Sequence, residues 1–102
     1  SGNNNGYRLK SHIRIFTRSR SGEIEGKVLP LAADPIVKAV IGSDTATAIP
    51  DDDDGEFKIV GLTAGTYKLI IDGQNGYNDT TINNVIVRNR EDTHLPTIIL
   101  HQ

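Results

Sequence analysis

Apolar and polar residues alternate with a period of two along most of the chain. Between Tyr7 and Ile15 the odd positions are mainly apolar and the even positions are polar or cationic, which predicts a strand with one buried face. Shorter runs with the same alternation follow, and no stretch keeps the helical period of about 3.6 residues. These later runs cover residues 22–29, 37–41, 56–59, 67–71, 80–87 and 95–100.

Turn-forming residues separate these runs. Pro30 and Pro35 keep the loop that holds them out of any central strand, because proline cannot donate a hydrogen bond to a strand ladder. Asn75-Gly76 is a hairpin signal, and Asp54-Gly55 predicts a second hairpin end. Seven or eight short strands, about ten residues apart, predict an all-β fold that is a seven- to eight-stranded antiparallel β-sandwich.

Length and composition narrow the classes of protein that the chain can belong to. A chain of 102 residues is one domain, and the lack of cysteine excludes disulfides, thiolate metal sites and a cysteine nucleophile. The chain also lacks methionine, so we expect it to have been processed or cut from something longer. The N-terminus has no apolar signal core and no run reaches about 18 apolar residues, so we expect neither a targeting segment nor a transmembrane segment in this chain, and a signal or anchor that has been removed is compatible with the sequence.

Charge is distributed unevenly around a formal net charge of −2. Residues 1–30 carry six basic and two acidic side chains, whereas residues 31–102 carry five basic and eleven acidic ones. No nucleic-acid-binding motif accompanies the basic segment, so we expect no nucleic-acid partner. We interpret residues 1–21 as a basic strand or linker, which fits the end of a preceding domain, and residues 22–102 as the sandwich.

Glycine and aromatic residues recur at fixed spacings after residue 21. They occupy Gly22, Ile24, Gly26 and Val28, then Asp54, Gly55, Phe57, Ile59, Gly61, Leu62, Gly65, Tyr67 and Leu69, and finally Val85 and Val87. Over about residues 22 to 100 this pattern resembles the carboxypeptidase regulatory-like domain family. The resemblance implies a transthyretin-like (prealbumin-like) Greek-key sandwich that serves as a non-catalytic accessory domain of a larger secreted, periplasmic or cell-surface bacterial protein.

The acidic run Asp51, Asp52, Asp53 and Asp54 raises the question of a cation site. With Gly55 as the sixth residue of an EF-hand loop, the first and last ligand positions would be Pro50 and Gly61, which have no carboxylate. The EF-hand is therefore excluded. The sequence favours a solvated turn whose aspartates bond nearby backbone amides, and an irregular calcium site on Asp51 to Asp54 is the alternative.

Catalytic patterns are sparse, and the sequence predicts neither an enzyme nor a cofactor. The histidines are His12, His94 and His101, and a triad drawn with Ser43 or Ser21 has no nucleophile motif around the serine. Adhesin modules of similar fold carry a Lys to Asn/Asp isopeptide bond between the first and last strands. Lys27 is suitably placed for it, but residues 95–102 contain no Asn or Asp.

Two functions are compatible with the sequence. The first is a module for structural spacing or protein–protein interaction, whose partner is a neighbouring domain of the same protein or another surface-assembly protein. The alternative is a carbohydrate-binding module, in which Tyr77 beside the Asn-Gly turn would contact the glycan. For either function we expect a monomer or weak dimer.

Overall fold

The structure of the protein, a computed structural model, describes residues 21–102, so the basic strand predicted from Tyr7 to Ile15 lies outside the described residues. The described part forms eight strands and one short 3-10 helix. In chain order they are β1 (Gly22–Leu29), the 3-10 helix (Leu31–Ala33), β2 (Ile36–Ile41), β3 (Asp44–Ala48), β4 (Glu56–Leu62), β5 (Gly65–Asp72), β6 (Thr80–Val87), β7 (Asp92–His94) and β8 (Ile98–Ile99). The predicted all-β sandwich is confirmed.

Two sheets make up the sandwich. One has the strand order β4-β1-β7, with β8 also paired to β1, and the other has the order β3-β2-β5-β6. Most ladders are antiparallel, but β7 and β8 each run parallel to β1 and pair with successive parts of the same edge. Alternation did not predict these parallel pairs, because a strand with one buried face has the same pattern in either direction.

The core lies between the sheets, where the alternating apolar side chains meet. Ile24 and Val28 of β1 are fully buried, as are Leu69 and Ile71 of β5. Charged neighbours such as Glu25 point away from the core, since successive side chains of a strand leave opposite faces. The other core residues with side chains almost fully buried are Ala33, Val37, Ala39, Phe57, Ile59, Leu62, Tyr67, Val85, Val87, Ile98 and Leu100.

The acidic run is a turn, but the prediction that Asp54-Gly55 ends a hairpin is wrong. The strand before the run, β3, pairs with β2, whereas the strand after it, β4, pairs with β1 in the other sheet. The segment therefore carries the chain from one sheet to the other. The sequence could not show this, because an Asp-Gly turn has the same composition whether or not the strands on its two sides pair.

The other predicted hairpin is confirmed. Strands β5 and β6 pair antiparallel, and Asn75 and Gly76 in their connection adopt φ values of 56° and 86°.

Near the start of β5, the hydroxyl of Tyr67 donates a hydrogen bond to the carbonyl oxygen of Thr63 at 2.7 Å, as expected for a core tyrosine whose polar end reaches the surface. No helix among residues 21–102 is long and apolar enough to cross a membrane.

Candidate functional site

A groove of about 630 Å³ lies on the outer face of the β4-β1-β7 sheet. Its charged lining comes from all three strands and from the acidic turn, which the fold brings to the same face. Glu25 of β1 has Lys58 of β4 as its partner on one side and His94 of β7 on the other. Asp51 and Asp54 also line the groove. Three segments far apart in sequence thus contribute to one polar surface.

Glu25 is the centre of the charge cluster in this groove. Its Oε1 lies 3.0 Å from Nε2 of His94, and its Oε2 lies 3.5 Å from Nζ of Lys58. The same lysine nitrogen is 3.7 Å from Oε2 of Glu23, two residues earlier on β1. The Glu25 side chain is only 18% exposed, whereas that of His94 is 75% exposed. The carboxylate is therefore held by the sheet, and its histidine partner remains accessible to solvent.

Crowding of the two glutamates shifts their pKa values in opposite directions. The pKa of Glu23 is raised, first by the hydrogen bond that its carboxyl shares with Glu25 and then by burial and the nearby charge of Asp92. That shared hydrogen bond lowers the pKa of Glu25, and the neighbouring charges of His94 and Lys58 add to the effect. The two carboxylates in turn raise the pKa of Lys58. Glu23 is thus the member of the pair that takes up a proton first.

Asp92 completes a group of oxygen and nitrogen donors at the edge of the groove. One carboxylate oxygen each of Glu25 and Asp92 and a ring nitrogen of His94 all lie within 4.8 Å of one another. Sequence reasoning missed this group because it depends on parallel pairing between strands more than sixty residues apart. The only local signal was the spacing: Glu23 and Glu25, like Asp92 and His94, lie two residues apart, which places each pair on one face of a strand.

The acidic turn uses two of its four aspartates to bond its own backbone. Oδ1 of Asp51 accepts a hydrogen bond from the amide of Asp53 at 2.7 Å, and Oδ1 of Asp54 accepts one from the amide of Glu56 at 2.9 Å. A backbone bond from the amide of Gly55 to the carbonyl oxygen of Asp51, 2.8 Å long, closes the turn. The predicted bonding of aspartates to nearby amides is confirmed.

The calcium site on Asp51, Asp52, Asp53 and Asp54 stays a prediction. Carboxylate oxygens of Asp51, Asp52 and Asp53 lie within 4.8 Å of one another, and all four side chains are exposed. Oxygens at that separation suit the irregular shells that Ca²⁺ accepts. Exposed acidic turns commonly have this geometry without binding a cation, so the arrangement fits both of the interpretations that the sequence left open.

Tyr77 is half-buried and packs against the hydrophobic core. Its amide donates to the carbonyl oxygen of Gln74, and the adjacent Asn78 amide donates to that of His101. The ring therefore offers less surface for stacking on a sugar than an exposed tyrosine would. Its role in glycan contact stays a prediction.

The residues of the hypothetical catalytic triad lie apart. Ser43 is in the turn between β2 and β3, in the opposite sheet from His94. Around that turn lies a second groove, of about 500 Å³, whose lining includes Ser43, Asp44 and Tyr67 but no histidine of the described residues. Ser21 directly precedes β1, and its carbonyl oxygen accepts a hydrogen bond from the Arg90 amide.

The fold is similar to parts of two larger bacterial proteins. It superposes on the Bacillus anthracis TIE protein with a TM-score of 0.59 and 14% sequence identity, covering 78% of this chain and 16% of that one. It superposes on GBS52, the minor pilin of the Gram-positive pathogen Streptococcus agalactiae, with a TM-score of 0.52 and 18% identity, covering 79% of this chain and 44% of that one. At these identities the likeness shows the fold alone. No protein-family model and no curated protein matches the sequence.

Proposed function

We propose that this chain is a non-catalytic accessory module of a larger secreted or cell-surface bacterial protein, where it provides structural spacing or a surface for protein–protein interaction. The observation that carries the proposal is the fold comparison, because the chain spans less than half the length of both bacterial neighbours, one of which is a pilin. Chains much longer than one domain divide into domains of about this size, which are joined by exposed linkers.

The arrangement of the regularly spaced glycine and aromatic residues supports a finer assignment to the carboxypeptidase regulatory-like family. Gly55 makes the turn into β4, Phe57 enters the core two residues later, and Tyr67 caps the end of the core through its bond to Thr63. Each of these residues has a structural part in the sandwich. We further propose that residues 22–102 form the module and that residues 1–21 connect it to a preceding domain.

The test of the proposal uses the full-length parent protein that contains this chain, expressed in the bacterium that it comes from. Intact cells and culture medium are treated with protease, and the released peptides are identified by mass spectrometry. Peptides from residues 22–102 in the medium or the shaved fraction support the surface assignment. Their confinement to the lysed-cell fraction, with a surface protein of the same cells as a positive control, would contradict it.

A domain replacement tests the accessory part of the proposal. Residues 22–102 are exchanged for an unrelated β-sandwich of similar length, and assembly of the parent protein at the surface is measured. Retained assembly indicates that the domain serves as a spacer, and lost assembly with normal export indicates that it makes a specific interaction.

A glycan array on the 102-residue chain tests the alternative function. Binding in the micromolar range that is lost in Tyr77→Ala would overturn the proposal in favour of a carbohydrate-binding module.

A further inference from the structure

We propose that Glu25, Asp92 and His94 form a surface binding site for a divalent transition-metal ion of the zinc type. The three residues lie on the outer face of the β4-β1-β7 sheet, on two strands that pair directly. This inference is independent of the accessory role proposed above, because it rests on side-chain geometry alone.

The strand pairing fixes the three side chains relative to one another. In the parallel ladder between β1 and β7, Glu25 has His94 as its partner and Glu23 has Asp92. All four residues therefore point to the same side of the sheet. Two directly paired β-strands hold donor groups more rigidly than a loop does, which lowers the cost of gathering them around an ion.

Distances among the donor atoms suit one ion after small side-chain movements. Nε2 of His94 and Oε1 of Glu25 are 3.0 Å apart, and the Asp92 carboxylate brings an oxygen within 4.8 Å of both residues' donor atoms. Two ligands of a tetrahedral zinc ion, each about 2.1 Å from the metal, are about 3.4 Å apart. The His94–Glu25 distance is about 0.4 Å shorter than that value, and the exposed side chains of Asp92 and His94 can rotate toward a common centre.

The kind of donor selects the kind of metal. One imidazole nitrogen with two carboxylate oxygens is a set that Zn²⁺, Cu²⁺ and Ni²⁺ bind well, whereas Ca²⁺ and Mg²⁺ prefer oxygen ligands alone. Three protein ligands leave a position for water or for a donor from another molecule. The acidic turn, with only oxygen donors, has the opposite preference, so the two clusters are distinguishable by the metal that they take.

Lys58 competes with the ion for Glu25. Its ammonium nitrogen lies 3.5 Å from Oε2 of Glu25, and a cation bound at this carboxylate would be repelled by it. The lysine side chain is 58% exposed and can swing into solvent. Removing its charge should therefore strengthen metal binding, which is a result that adventitious binding elsewhere on the chain would not give.

The experiment is a ZnCl₂ titration of the full 102-residue chain, followed by calorimetry and by NMR of the histidine ring nitrogens. We expect the His94 ring signals to shift, His94→Gln and Asp92→Asn each to weaken binding at least about tenfold, and Lys58→Met to tighten it several-fold. The matched controls His12→Gln, His101→Gln and Asp52→Asn should keep the wild-type affinity. Circular dichroism of each variant verifies the fold, which these exposed substitutions should leave intact.

Two outcomes would overturn the proposal. One is wild-type zinc affinity in His94→Gln, and the other is a titration in which the rings of His12 or His101 respond while that of His94 does not. A parallel CaCl₂ titration separates the two clusters, because calcium bound by the acidic turn should be lost in Asp52→Asn and should leave the His94 signals unchanged.

Discussion

The backbone amide of Val28 donates a hydrogen bond to the carbonyl oxygen of Gly55 at 2.9 Å, which joins the end of the acidic turn to β1. Gly55 has a φ of 79°, and a β-carbon at this position would overlap the carbonyl oxygen of Val28. The glycine, rather than the four aspartates before it, therefore determines how the chain enters β4.

We expect Gly55→Ala to lower the free energy of unfolding by about 2 to 4 kcal/mol, since it adds a backbone clash to the strain of positive φ. Gly76→Ala is the matched control, because Gly76 has a φ of 86° and open space where a β-carbon would lie. That variant should lose only about 1 kcal/mol. Urea unfolding of both variants measures the difference, and equal losses would refute the clash.

The aspartates of the turn should differ in their effect on stability. Asp51→Ala and Asp54→Ala each remove a side-chain hydrogen bond to the backbone and should each cost about 0.5 to 1.5 kcal/mol. Asp52→Ala removes only an exposed charge beside other carboxylates and should be neutral or slightly stabilising. Thermal unfolding midpoints of the three variants test this order. A loss for Asp52→Ala as large as the others would show that the assigned bonds do not matter.

Tyr67→Phe should lower stability by about 0.5 to 1.5 kcal/mol, because it removes the hydrogen bond to Thr63 without emptying the core. Burial, and then the charge of Asp44, raises the pKa of the Tyr67 hydroxyl. The folded state thus favours the neutral hydroxyl. Its contribution to stability is complete below the tyrosine pKa of the unfolded chain, which is about 10, and is lost as the pH rises through the pKa of the folded chain.

Chemical unfolding at about pH 7 to 11 checks the sign of this dependence. The wild-type chain should lose stability faster than Tyr67→Phe above about pH 10. Parallel curves for the wild type and Tyr67→Phe would count against the shifted pKa.

Neutralising the two glutamates of β1 should have opposite effects at about pH 7. The pKa of Glu25 is lowered in the folded chain. The ionised Glu25 therefore stabilises the fold at pH values above the glutamate pKa of the unfolded chain, which is about 4.3, and this stabilisation is lost as the pH falls through the pKa of Glu25 in the folded chain. Glu25→Gln should therefore lower the melting temperature at neutral pH, and the gap from wild type should close in acid. The pKa of Glu23 is raised, so the ionised Glu23 destabilises the fold and Glu23→Gln should raise or preserve the melting temperature. A drop in both variants at neutral pH would contradict the opposite pKa shifts of the two glutamates.

Much of the architecture was determined by sequence because its causes are local. Alternation assigns Ile24 to the core and Glu25 to the surface from the geometry of a single strand, wherever that strand pairs. The φ values at Asn75 and Gly76 likewise follow from what these residues tolerate, and the aspartate bonds at Asp51 and Asp54 span only two residues.

The tertiary structure alone decided which strands are neighbours. The alternation does not show that β7 lies parallel to β1. The contact between Glu25 and His94 therefore could not be predicted, and neither could the proposed metal site that depends on it. For the same reason the turn signal at Asp54-Gly55 predicts a hairpin end where the chain in fact crosses between two sheets, and local composition does not show that Tyr77 packs against the core. Periodicity reports which face of a strand is apolar, whereas pairing and burial depend on contacts between segments far apart in the chain.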